Sequence, residues 1–198
     1  MLNLSSRWPP LSRAQTAKRQ LDAAIRDFFL YDDLVSAHLL AWAALDVITD
    51  VAKATGKTTI RSLMRANMST TVAKAWSKAE RDHYNFMKHA DRDPHRMVRL
   101  IPEMSAFALY IACRDYLKTF GEGSLFMAVY SGWYLGRTPD MRAPFGDGWD
   151  DVLSEGLGGT DSEAWAEAVE IIRFAIENPS EVAGLSANRV GIARAVAD

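Results

Sequence analysis

The chain has 198 residues, 48% hydrophobic and 24% charged, the proportions of one soluble globular domain with at most a small appendage. Its 23 basic and 25 acidic side chains leave a net charge of −2, which taken whole gives no sign of a nucleic-acid binder. One cysteine, Cys113, excludes an intramolecular disulfide and a Cys-rich zinc site and fits a reducing, cytoplasmic setting.

Residues 1–11 have no apolar run, and Arg7, Pro9 and Pro10 interrupt them, so they do not read as a secretory signal. From Ser12, a plausible N-cap, Leu21, Ile25, Phe28 and Phe29 recur at the spacing of one helix face. Asp33 can cap a second helix over 34–54, apolar almost all round. That stretch is long enough to cross a membrane, but His38, Asp46 and Asp50 interrupt it. An unpaired acid at mid-membrane costs about 2.5–3.5 kcal/mol. The segment therefore reads as the buried central helix of a soluble bundle, with no membrane partner. Gly56 stands where a C-terminal cap belongs.

Ser69 opens a long polar, basic helix to about residue 90, stopped before Pro94. Further helices are expected from Pro102 to Phe120, ended by Gly121 and Gly123, and over 124–135. Residues 136–160 carry six glycines, Pro139, Pro144, Phe145 and Trp149, and read as an ordered loop. Asp161 or Ser162 should cap a helix to about residue 178, ended by Pro179, and 180–198 reads as a docked helix or a tail. The expectation is an all-α bundle of six or seven helices around 34–54. Its parts are a helical core over 1–135, a Gly/Pro-rich loop over 136–160 and an acidic helical segment over 161–198.

Counted by segment, the charge is uneven. Residues 1–120 carry a net +6 and residues 121–198 a net −8, and 53–99 alone carry +7. A patch of that sign attracts phosphates with a salt-dependent affinity. The plainer reading has the acidic third folding over the basic helix, or pairing with it between two copies.

The basic helix carries Arg81-Asp82-His83-Tyr84-Asn85-Phe86-Met87-Lys88-His89. Steps of four put Arg81, Asn85 and His89 along one stripe, flanked by Lys78 and Lys88. A cation, an amide and an imidazole on one surface are the parts for cleaving RNA without a metal. The cation steadies transition-state charge and the imidazole moves a proton near neutral pH. The plainer reading makes His89 a residue favouring the helix C-terminus, Arg81 and Lys88 surface charges, and His83 an exposed side chain on another face.

Asn85 and His89, on a helix of an all-α domain, resemble the signature helix of the HEPN superfamily. That helix carries an arginine, a polar neighbour that is often asparagine, and a histidine four to six residues beyond the arginine. The resemblance covers about 60 residues, a few helices by length. It implies a helical domain that works as a dimer, binds RNA or a nucleotide, and in many members cuts RNA without metal in toxin–antitoxin and phage-defence systems. The expected arginine position is occupied here by Tyr84, which would then belong with Lys78 and Lys88 to the substrate contacts. Arg81 lies eight residues before His89, about 12 Å along the axis. Arg81 of one copy and His89 of another would meet in a symmetric dimer, and loss of the adjacent arginine also fits a member that binds without cutting.

His38, Trp42 and Asp46 recur by four on the apolar helix. A buried Asp46 needs a partner, and the basic helix could supply Asn85, His89 or Arg81, giving a His38–Asp46–His89 polar network. The chain has a single Glu-x-x-His, Glu80 to His83, without the second one on a facing helix that a bundle metal centre uses, and it lacks a phosphate-binding glycine loop and a dinucleotide fingerprint, so no metal or cofactor is expected. Two functions follow. One is a HEPN-like, homodimeric RNA or nucleotide binder with metal-independent ribonuclease activity or a degenerate non-cleaving site. The other is a non-catalytic interaction protein with an acidic protein partner.

Overall fold

A computed structural model describes residues 10–89, 91, 93–138 and 160–182. These form eight α-helices and no strand: α1 (Arg13–Leu30), α2 (Leu34–Ala54), α3 (Ile60–Ala66), α4 (Thr70–Lys88), α5 (Pro102–Phe120), α6 (Leu125–Arg137), α7 (Asp161–Glu177) and α8 (Pro179–Val182). The all-α expectation holds, with more helices than the six or seven expected. The additions are α3 and the single turn α8. The capping residue of α7 is Thr160, in a reciprocal box with Glu163, and α6 runs to Arg137. The expected loop over 136–160 and the tail after Val182 lie almost wholly outside the described residues.

Local chemistry sets most boundaries. The Ser12 hydroxyl accepts from the Gln15 N–H, and the Gln15 amide accepts from the Ser12 N–H, closing a capping box on α1. Asp33 accepts from the Ser36 N–H at the start of α2. Between these helices Asp32 sits at φ 50, a left-handed position that Asp tolerates better than most residues. Pro102 occupies the first turn of α5, where its missing N–H costs nothing. Gly121, at φ 87, ends that helix in the left-handed geometry that favours glycine.

The helix α2 is the only one among the described residues long and apolar enough to cross a membrane, with a hydropathy of 1.5 over its best window. In the fold it is the central helix. It packs along α1 on one side and α5 on another, and α4 covers a further part of it. Asp115 of α5, fully buried, ties down α3 by accepting from the Ile60 N–H at 2.5 Å and the Arg61 N–H at 3.3 Å. Burial raises its carboxyl pKa to about 6, against the lowering effect of those two hydrogen bonds.

At the other end, α6 and α7 join α1 through rings. Phe29 meets Phe28, Tyr130, Trp133 and Trp165 with centroids 4.7–5.9 Å apart, each edge to face. Ala164, Ala168, Ile171, Ile172 and Ala175 place α7 in the same core cluster as α1 and α6. Phe29→Ala should lower the unfolding free energy by about 3–5 kcal/mol, read from the urea midpoint. Tyr31→Ala, two residues away but 71% exposed, should change it by less than about 0.5 kcal/mol.

Candidate functional site

Ser69 caps α4 by accepting from the Val72 N–H, and the helix closes where the His89 N–H donates to the Asn85 carbonyl. Its inner face is anchored by rings. Trp76 meets Phe107 edge to face at 5.6 Å, and Tyr84 lies over Trp42 at 6.4 Å. The outer face is charged. Lys74, Lys78, Arg81, Asn85 and Lys88 are all exposed. At 3.6 residues per turn they fall within an arc of about 80° and span about 21 Å of axis. Packing of the aromatic face thus aims the cations outward.

His89, half-buried at the end of α4, lines a cleft of about 180 Å³ with Asp82, Asn85, Phe86, Asp93 and Arg96. The arginine that shares this cleft is Arg96, from the connection between α4 and α5, not Arg81. Arg96 donates to Asp82 at 2.5 Å and lies 5.9 Å from the centre of the Phe86 ring. Arg81 projects one turn earlier, on the exposed stripe with Lys78. The Lys88 ammonium folds back over Tyr84, 4.6 Å above the ring and 3.3 Å from the hydroxyl. Tyr84 is only 8% exposed, so it is an anchor of α4 and not the substrate contact the sequence suggested.

The polar network expected between His38, Asp46 and His89 does not form. His38 and Asp46 are eight residues apart on α2, about 12 Å along its axis. His38 Nδ1 lies within hydrogen-bond distance of Ser105 Oγ at 2.8 Å, and that hydroxyl is 3.4 Å from the Ile101 carbonyl. Burial, then the neighbouring His83, pulls the His38 pKa down to about 4. His83, expected at the surface, is buried with its ring perpendicular to His38 at 5.8 Å, and its Nε2–H donates to the Arg99 carbonyl. Asp46 stays 41% exposed and faces Arg61 of α3 at 3.7 Å, so its partner is not on α4.

Sequence reasoning missed α3 and what it brings. Arg61 is 4% exposed, stacks on Trp42 and shares the Glu80 carboxylate with Arg65. Arg61, Trp42 and Glu80 border a cavity of about 270 Å³ between α2, α3, α4 and α5. The signal was present, because Thr59 and Ser62 cap each other's backbone at the start of α3. Among the described residues no three His, Cys, Asp or Glu side chains converge as a metal centre requires. Cys113 is buried, and burial pushes its thiol pKa well up, the opposite of an activated nucleophile.

No family model, curated protein or solved structure matches the chain. The acidic helix α7 packs on α6 and α1, whereas α4 packs on α2, so the described part of the acidic third does not lie over the cationic stripe.

Asp115 and His38 should oppose each other in acid. From pH about 4 to about 6 the folded chain keeps a proton on Asp115 that the unfolded chain has released, so this group's contribution to stability falls as pH rises. Over nearly the same range the unfolded chain holds a proton on His38 that the folded chain has lost, so that contribution rises. Urea unfolding between pH 4 and 6 should show Asp115→Asn gaining stability with pH relative to the unaltered chain, and His38→Asn losing it.

Proposed function

We propose that this protein binds RNA through the exposed cationic face of α4. The observation that carries the reading is the stripe of Lys74, Lys78, Arg81, Asn85 and Lys88, exposed on one arc and aimed away from the core. A single strand laid along it would release counterions and meet one amide donor among the cations. Asn85 continues from the stripe into the His89 cleft, so the phosphate-binding face leads to a titratable group.

The resemblance of Asn85 and His89 to the HEPN signature helix supports the same reading. In it Arg96 takes the part of the missing neighbouring arginine. A two-fold dimer bringing two α4 helices together would double the cationic face, and a free nucleotide would use the same cleft. Metal-independent cleavage is the further step, with His89 moving the proton. Two carboxylates, Asp82 and Asp93, line that cleft and Asp82 engages Arg96, which opposes a second negative charge. Binding is therefore the function we propose. Any cleavage should persist in a chelator and be lost in His89→Ala with affinity retained.

The test is fluorescence anisotropy with a short labelled single-stranded RNA over a salt series. Lys78→Ala and Arg81→Ala should each weaken binding whatever the sequence, and each should reduce the salt slope by about 0.7–1. Lys18→Ala, on α1 and paired with Asp22 at 2.9 Å, should change neither. Absence of binding at low salt would defeat the proposal. Equal competition by poly-glutamate would favour an acidic protein partner instead.

A further inference from the structure

The cavity beneath α4 has the makings of a second, unrelated site. Its wall is apolar, formed by Trp42, Trp76, Phe107 and Ile111, with the buried Arg61 and Glu80 set into it. Arg61 is the unusual member. A guanidinium offers five N–H donors, and a buried one ordinarily has a close anion. Here its contacts are long, 3.4 Å to Glu80 and 3.7 Å to Asp46. Its Nε has no acceptor among the described residues, and neither does the indole N–H of Trp42. Glu80 already serves Arg65 at 2.8 Å through the same oxygen that Arg61 approaches. Two cations thus compete for one carboxylate oxygen, and Arg61, 4% exposed, is the one left with the weaker contact.

We infer that this cavity binds a small apolar carboxylic acid, its carboxylate on Arg61 and its ring or chain body between Trp42, Trp76 and Phe107. A planar bidentate anion is the group a guanidinium fork matches. Stacking of Arg61 on Trp42, 5.0 Å from the ring centre, holds that fork in one plane. The size agrees. A cavity of 150 Å³ holds benzene, so about 270 Å³ has room for two fused rings and a carboxylate. The apolar body accounts for most of the wall, and one polar group sets the orientation, the usual division of labour in small-molecule sites.

The probes are naphthalene-1-carboxylate and its neutral counterpart naphthalene-1-methanol, titrated calorimetrically into the full chain, with the melting temperature as a second readout. The acid should bind and raise the melting temperature, and the alcohol should bind at least about tenfold more weakly. Arg61→Gln should bring the acid down to the level of the alcohol and leave the alcohol unchanged. Ala79→Phe, at an exposed position lining the cavity, should fill it and remove both, and this variant decides the matter if Arg61→Gln does not fold. Equal binding of acid and alcohol, binding of neither, or binding that survives Ala79→Phe would overturn the inference.

Discussion

The central constraint is that α2 is apolar around nearly its whole circumference. Such a helix must pack against others on more than one side. The fold supplies α1 and α5 along its length and α4 over a further part, and buries Ala37, His38, Ala41, Trp42, Ala44, Leu45, Ile48 and Ala52. Coverage by α4 uses aromatic and imidazole rings, with Tyr84 over Trp42 and His83 against His38. Once those residues face inward, helical geometry sends Lys74, Lys78, Arg81 and Lys88 outward. The direction of the cationic face is thus a consequence of hydrophobic packing.

The acidic end obeys the same logic. Charge alone would draw α7 towards α4. Trp165 and the buried Ala164, Ala168 and Ile172 instead fix it to α6 and α1, next to Phe28, Phe29 and Trp133. Exposed ion pairs contribute about 0–1 kcal/mol, and a buried aromatic cluster outweighs them. The net charge of −2 therefore conceals two fields that the described helices do not cancel against each other.

What was legible in the sequence was what local chemistry decides. Ser12, Asp33, Ser69 and Gly121 mark helix ends because capping needs only neighbouring residues. What was not legible depends on distant partners. The short α3 shows only its Thr59–Ser62 cap in the sequence, because its seven residues carry no hydrophobic period and it is held by Asp115, 55 residues away from Ile60. His83 reads as exposed until α2 presents His38 and the connection before α5 presents the Arg99 carbonyl. Arg96 enters the His89 cleft from an aperiodic segment, so spacing along α4 pointed to Arg81 instead. The cavity beside Arg61 needs four helices to exist, and only the assembled bundle reveals it.

The central claim is that the outer face of α4 is where RNA lies. Lysine acetylation followed by mass spectrometry, with and without a saturating single-stranded RNA, reads this directly. Lys74, Lys78 and Lys88 should be protected by RNA, while Lys18 on α1 and Lys118 on α5 should react as before. Protection confined to Lys18 or Lys118, or no protection anywhere, would contradict the account.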